Sequence, residues 1–121
     1  MLFRSVLLDV YSLAAFAGRK ELATCEMDLL DGFWSPHRYY GFLNTFRYDA
    51  EKVVLDKYTI VEERRVRTIY NWFQYFSVAA LSAELEDRGF VVNEVVGDVA
   101  GATVDPEAHE FAIVAQKPVD V

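Results

Sequence analysis

The stretch LFRSVLLDV at residues 2–10 decides the fold, because it predicts an apolar β-strand at the very start of the sequence. The segment EFAIVAQK at residues 110–117 predicts a second apolar strand at the other end. A helix-to-strand unit and a loop with Gly101 and Pro106 precede that second strand. This order is typical of the last third of an open α/β sheet. We therefore expect the C-terminal portion of a larger enzyme fold.

The middle of the sequence predicts a three-stranded antiparallel meander. Side chains alternate between the two faces over residues 42–48, 52–61 and 66–76, and the connections between these segments are too short for a parallel crossover. Before the meander, residues 13–24 predict one short helix or two turns. Residues 26–41 predict an irregular segment or a lid.

A helix and two more strands complete the predicted elements. Ser77 is a suitable N-cap for a helix over residues 78–88, and Gly89 is a suitable stop. Residues 91–96 and 111–115 are apolar enough to form strands that are covered on both faces.

These elements predict one α+β domain over residues 1–121. We expect a mixed, mostly antiparallel sheet that contains the aromatic-rich meander, together with one or two helices. The 121 residues are 53% hydrophobic and 15% aromatic, which is ample material for one core.

The charge and the cysteine content of the chain limit its partners and its compartment. A formal net charge of -7 disfavours binding to nucleic acid or to an anionic membrane, and no stretch is long enough to span a bilayer. The single Cys25 excludes an intramolecular disulfide and favours a reducing compartment. Arg4 and the Ala-Phe-Ala at residues 15–17 imitate a signal peptide, but Asp9 interrupts its apolar region. We predict a cytoplasmic protein that binds neither nucleic acid nor a membrane.

His37 is the strongest candidate for acid–base chemistry. It lies in a predicted loop between Trp34 and the pair Tyr39 and Tyr40. An imidazole in such a place could act as a general base, because its unperturbed pKa is about 6.5. The other interpretation is a partly exposed loop histidine with no role in chemistry.

The remaining motifs predict no catalytic set. His109 has only Glu107 and Glu110 nearby, and a solvated turn is favoured over a metal site. The glycines at residues 97 and 101 favour a turn over a nucleotide-binding loop. We find no Ser-His-Asp order and no distinctive carboxylate pair, so the catalytic residues stay unassigned and no metal is expected.

Aromatic side chains occupy both faces of the predicted meander. A sheet of this kind needs a cover, a ligand pocket or a subunit interface on its second face. Asn71 beside Trp72 is the first polar group that we expect to contact a ligand. The predicted substrate-binding residues are Tyr11, Trp34, His37, Tyr39, Tyr40, Asn71 and Trp72.

Six segments, in their order along the chain, resemble the C-terminal half of bacterial and archaeal class I S-adenosylmethionine-dependent methyltransferases. They are residues 7–13 (LLDVYSL), 55–61 (LDKYTIV), 70–77 (YNWFQYFS), 88–90 (RGF), 97–101 (GDVAG) and 111–117 (FAIVAQK). The resemblance covers nearly the whole chain and implies the C-terminal part of a Rossmann-like sheet. Residues 3–10 would be its fifth strand and residues 91–96 its sixth, with residues 111–117 as an antiparallel seventh strand between them.

The same resemblance implies a function. Residues 26–76 would be an insertion that serves as a substrate cover or a dimer contact. The family binds S-adenosylmethionine with segments that would lie before Met1, so we expect no cofactor-binding residue in this chain and no activity alone. The implied function is the substrate-cover portion of a methyltransferase with a small-molecule substrate. Its partner would be a missing N-terminal half or a second copy, paired through the open edge of residues 3–10.

The alternative to a methyltransferase part is a stand-alone module. Such a module would bind a small ligand, or a copy of itself, through its aromatic-lined face.

Overall fold

The computed structural model describes residues 2–119, which contain seven strands and two helices. The elements are β1 (Leu2–Tyr11), α1 (Leu13–Ala17), β2 (Leu22–Met27), β3 (Tyr40–Tyr48), β4 (Val53–Val61), β5 (Val66–Gln74), α2 (Val78–Asp87), β6 (Val91–Val96) and β7 (Glu110–Val119). They belong to two compact units. The first unit joins the residues up to Gly18 to those from Tyr75 onward, and the second unit is Arg19–Gln74. That the two units form a single domain stays a prediction.

The first unit is built on a three-stranded antiparallel sheet in the order β1-β7-β6. β1 pairs with β7 along its length, with Leu8 opposite Ile113. β6 pairs with the other side of β7, and its register shifts between Val92 and Glu94. β7 thus runs antiparallel between the other two strands, which is the arrangement that the resemblance implies for residues 111–117.

Helix α2 begins at Val78, as predicted, and ends at Asp87, one residue before the predicted end. The Ser77 hydroxyl accepts a hydrogen bond from the Ala80 amide at 3.0 Å, a cap that contributes about 1 kcal/mol. Gly89 follows the helix with φ +85°, a conformation that favours glycine.

The core of the first unit lies between α2 and one face of its sheet. It joins Leu81 of the helix to the strand residues Val6, Leu8, Val10, Phe111, Ile113 and Ala115. On the opposite face of β1, Leu7 and Tyr11 are both 51% exposed. β7 is the central strand and is buried at Phe111, Ala112, Ile113 and Ala115, whereas β6 is an edge strand with an exposed Val91. The prediction that residues 91–96 are covered on both faces is therefore wrong within the described chain.

The second unit is a four-stranded antiparallel sheet in the order β2-β3-β4-β5. The three strands of the predicted meander are present as β3, β4 and β5. β2 was not predicted, because all of its side chains are exposed and none is selected for burial. Pairing with β3, where Cys25 lies opposite Phe42, makes this segment a strand.

The predicted mixed sheet is wrong. The described strands form two separate sheets, and every neighbouring pair in both is antiparallel. Residues 19–74 pair only among themselves, so they build a sheet of their own rather than extending the first. The α+β class fits this composition, but no two neighbouring strands in residues 2–119 are parallel, and the one parallel pairing described there is an isolated bridge between Ser12 and Phe76. The expected Rossmann-like mixed sheet is corrected accordingly.

Candidate functional site

A strained turn follows β2 and shapes one side of the candidate site. Asp28, Leu30 and Asp31 have φ values of 50°, 60° and 54°, and Gly32 has 79°. Non-glycine residues rarely adopt this left-handed conformation, and it persists only where surrounding contacts hold it.

The Asp28 carboxylate and the Tyr39 side chain supply those contacts. Oδ1 of Asp28 accepts a hydrogen bond from the Tyr39 amide at 3.1 Å, and Oδ2 accepts one from Arg38 Nε at 3.3 Å. The Tyr39 hydroxyl donates to the carbonyl of Leu29, whose buried side chain lies against Gly41. A Cβ at residue 41 would lie 2.5 Å from the Leu29 Cβ, so only glycine fits there.

Glu62, just after β4, joins this turn to the β4–β5 hairpin. Its carboxylate accepts hydrogen bonds from Ser35 Oγ at 2.9 Å and from Arg65 Nε at 2.6 Å. Arg67 Nε lies 3.6 Å from the same carboxylate, and the side chain of Glu62 is only 7% exposed. The hydrogen bond from Arg65 is the main cause that lowers the pKa of Glu62, so this carboxylate is held ionised.

The turn and the hairpin enclose a cleft of about 810 Å³. Pro36, His37 and Arg38 line one side, and residues 62–65 line the other. A neighbouring cleft of about 410 Å³ shares Arg38, Glu62 and Glu63 with the first and extends to Met27 and Tyr40. Both volumes fall in the range of small-molecule sites. The imidazole, guanidinium and carboxylate groups of the larger cleft can orient a polar ligand, and the imidazole can accept a proton.

Four of the seven predicted substrate-binding residues come together at this end of the sheet. His37 lines the larger cleft and Tyr40 the smaller one. Trp34 packs between Phe33 and Tyr58, with ring centroids 4.9 Å from each. Tyr39 also borders the smaller cleft, but its side chain is buried in the core, where it supports the turn.

The other three predicted residues lie elsewhere. Asn71 and Trp72 are in β5, opposite Asp56 and Leu55, and as neighbours in a strand they point to opposite faces of the sheet. Tyr11 belongs to the first unit, where its ring lies 5.7 Å from that of Tyr75.

The predictions missed Ser35, Arg38, Glu62 and Arg67. The stretch EERRVR at residues 62–67 nearly cancels in charge, so net charge gave no signal there. The spacing of Glu62 and Arg65, three residues apart, was the available signal.

A buried ion pair lies farther along the same sheet. Both carboxylate oxygens of Asp56 accept hydrogen bonds from Arg19, at 2.6 and 2.8 Å, and Thr45 Oγ1 donates to one of them at 2.7 Å. The pKa of the neighbouring Tyr58 is raised, mainly by burial and then by the negative charge of Asp56. No described group completes a catalytic set with these residues, and their arrangement is that of a structural ion pair.

The first unit has a smaller cleft of about 190 Å³ at the carboxyl end of β1. Ser12, Phe76, Asp105 and Glu110 are among its lining residues. The Ser12 hydroxyl donates to the carbonyl of Ala108 at 2.6 Å, which ties the loop before β7 to the end of β1.

Residues 2–119 contain neither a clustered metal site nor a membrane-crossing helix. No group of three or more His, Cys, Asp or Glu side chains there is arranged to hold a metal ion. Neither described helix has the length and apolar character that crossing a membrane requires.

Two solved methyltransferases have a similar fold. The CcbJ methyltransferase from Streptomyces caelestis matches 92% of this chain with a TM-score of 0.59 and 12% sequence identity. An S-adenosylmethionine-dependent methyltransferase from Clostridium acetobutylicum ATCC 824 matches 93% of it with a TM-score of 0.58 and 7% identity. This chain covers only 45% and 44% of their respective lengths. No protein-family model and no curated protein matches the sequence. The likeness shows a methyltransferase-like fold in this chain.

Proposed function

We propose that this chain is the C-terminal, substrate-cover part of an S-adenosylmethionine-dependent methyltransferase, and that it acts together with a cofactor-binding part. The similarity of nearly the whole chain to less than half of two methyltransferases supports this proposal. The acceptor would be a small molecule, since the larger cleft has the volume of a small-molecule site.

The main support for the proposal is the point in the first unit at which the second unit is inserted. The chain leaves the first unit at Gly18, shortly after the carboxyl end of β1, and returns to it at Tyr75. Within the first unit, the Phe76 amide donates to the Tyr11 carbonyl at 3.0 Å, which ties the returning chain to the end of β1. The rings of Phe16 and Tyr75 lie 5.5 Å apart at the same place. In open α/β sheets ligands bind beyond the carboxyl ends of the parallel strands, so an insertion here suits a substrate cover once the cofactor-binding part supplies strands parallel to β1.

The outer edge of β1 is a second feature that supports the proposal of a separate cofactor-binding part. β1 is an edge strand in the described sheet, and Leu7 is half exposed on the face opposite α2. An open strand edge beside exposed apolar side chains favours pairing with a further strand. We propose that the cofactor-binding part supplies that strand.

A comparison of the chain alone with the chain joined to its natural upstream sequence tests this function. The DNA before the codon for Met1 is expected to encode, in frame, a glycine-rich strand-turn-helix that binds the cofactor. Calorimetry should then show saturable S-adenosylmethionine binding by the joined protein and none by the chain alone. Micromolar binding by the chain alone, or an unrelated gene upstream, would overturn the proposal.

The chain's two histidines allow a matched pair of variants that tests the role of the larger cleft. In the active joined protein, His37→Ala should lower kcat/KM for the acceptor and leave the affinity for S-adenosylmethionine unchanged. His109→Ala changes the other exposed histidine, which lies in the first unit, and should alter neither. Equal loss of activity in both variants would contradict the assignment of His37 to the substrate site.

The second candidate function is a stand-alone module that oligomerises or binds a small ligand. Exposed aromatic side chains on β3 and β5 favour this candidate. An unrelated upstream gene combined with a stable, self-associating chain would support it.

A further inference from the structure

One face of the four-stranded sheet is aromatic and exposed. Cross-strand pairing places alternate residues of β2 to β5 on this side, opposite to the face that carries the buried Ile60. We call it the aromatic face and define it by Ala23, Cys25, Met27, Tyr40, Phe42, Asn44, Phe46, Tyr48, Val53, Leu55, Lys57, Thr59, Val61, Val66, Thr68, Tyr70, Trp72 and Gln74. Its six aromatic side chains are each between 38% and 59% exposed.

The aromatic face is organised by contacts among its own side chains. The rings of Tyr48 and Trp72 lie 5.8 Å apart, and the Lys57 ammonium lies 5.9 Å from the centre of the Tyr70 ring. Leu55, between Phe46 and Trp72 in the pairing, is buried. The strands therefore present a preformed surface, and little ordering is needed before it binds.

The charge of the aromatic face differs from that of the chain. Asp and Glu make up 19 of the 121 residues, yet none of them is in the set that defines this face. Lys57 is its only charged residue at neutral pH. A surface with few charges and many aromatic residues has the composition of an interface core.

The exposed area matches what a protein interface needs. Six aromatic side chains that are about half exposed present about 600 Å² of surface, and Met27 and Val66 add to it. This is at the upper limit of the apolar patches found on monomers and approaches the roughly 800 Å² that each partner of a standard interface contributes.

We propose that two copies of this chain associate through the aromatic face, with their sheets packed face to face. A second copy presents the same nearly uncharged surface, so pairing buries no unpaired carboxylate. Aromatic sheets also stack bases in proteins that bind single-stranded nucleic acid, but those surfaces are basic, whereas this chain has a net charge of -7 and one lysine here. The same charge disfavours an anionic membrane.

This proposal places self-association on a different surface from the edge of β1. It does not depend on methyl transfer and applies to either function proposed above. Leu8 packs in the core of the first unit, so its replacement would test folding rather than pairing. Leu7, on the open face of the same strand, is the suitable probe of that surface.

Light scattering on the purified chain tests the proposal. The unmodified chain at tens of micromolar should have twice the monomer mass of 13.9 kDa. Trp72→Lys should weaken association by about ten-fold or more, because tryptophans that become buried on binding are common hot spots. Leu7→Lys is the matched control, since Leu7 and Trp72 are 51% and 59% exposed, and it should leave association unchanged. Tyr40→Lys provides a second variant on the aromatic face if Trp72→Lys fails to fold.

Cys25 gives a measurement that needs no variant. It is the only cysteine, it is exposed, and it pairs with Phe42 on the aromatic face. Maleimide labelling of Cys25 should slow as protein concentration rises through the association range. A monomer at high concentration, a labelling rate independent of concentration, or dissociation by Leu7→Lys but not by Trp72→Lys would each overturn the proposal.

Discussion

Replacing Asp56 with alanine should destabilise the second unit more than any comparable change at an exposed carboxylate. The side chain of Asp56 is 10% exposed, and that of its partner Arg19 is 30% exposed. The change removes two charge-assisted hydrogen bonds from Arg19 and leaves the buried Thr45 hydroxyl without its acceptor. Removing one partner of a buried pair costs about 3–5 kcal/mol, and because Arg19 can partly regain water we expect about 3 kcal/mol.

Asp49→Ala is the matched control for Asp56→Ala. Asp49 also pairs with an arginine, Arg47 at 3.0 Å, but its side chain is 76% exposed. An exposed pair contributes about 0–1 kcal/mol, so the control should differ from the unmodified chain by about 0.5 kcal/mol. The double variant Arg19→Met with Asp56→Leu should regain much of the loss, because it leaves no unpaired buried charge.

Urea unfolding followed by tryptophan fluorescence measures these effects. The chain has two tryptophans, Trp34 and Trp72, and both lie in the second unit, so their emission reports that unit. A loss of about 3 kcal/mol should lower the urea midpoint by about 1–3 M. If Asp56→Ala and Asp49→Ala shift the midpoint equally, burial gives the Arg19–Asp56 pair no special role and the reasoning is refuted.

Three further outcomes are expected. The pKa of Glu62 is lower in the folded chain than in the unfolded chain. Its contribution to stability is therefore complete above the ordinary carboxyl pKa and is lost as pH falls through the folded pKa. Glu62→Gln should remove that part of the acid dependence in urea titrations at several pH values. Gly41→Ala should cost about 1–3 kcal/mol because its Cβ would meet Leu29 at 2.5 Å, whereas Gly18→Ala, with its nearest atom at 3.6 Å, should be nearly neutral in the same assay. If the chain is one cooperative domain, tryptophan fluorescence and far-ultraviolet circular dichroism, to which α2 contributes, should give coincident unfolding curves; separate midpoints would assign each unit its own transition.

Much of the secondary structure could be predicted from the sequence because it depends on neighbouring residues. Strands β3, β4 and β5 alternate with period two, and the short connections between them require antiparallel pairing. Helix α2 carries its own N-cap in Ser77 and its own stop in Gly89. The exposed aromatic side chains also followed from alternation, since both faces of the meander carry rings.

The candidate site could be predicted only in part. Four of the predicted residues are close in sequence, so one loop is enough to place them at the same end of the sheet. They are Trp34, His37, Tyr39 and Tyr40. Asn71 and Trp72 were separated from them because strand direction carries β5 away from the turn and alternation sends the two side chains to opposite faces.

The sequence by itself determined where most strands and the main helix lie, because alternation, capping and turn lengths act over a few residues. Only the tertiary structure decided that β2 pairs with β3, that two antiparallel sheets form rather than one mixed sheet, and that Glu62 meets Ser35 across 27 positions of chain. These features depend on hydrogen bonds and packing between residues far apart in sequence. Their free energy is set by the whole arrangement of the unit, and no local pattern of side chains encodes it.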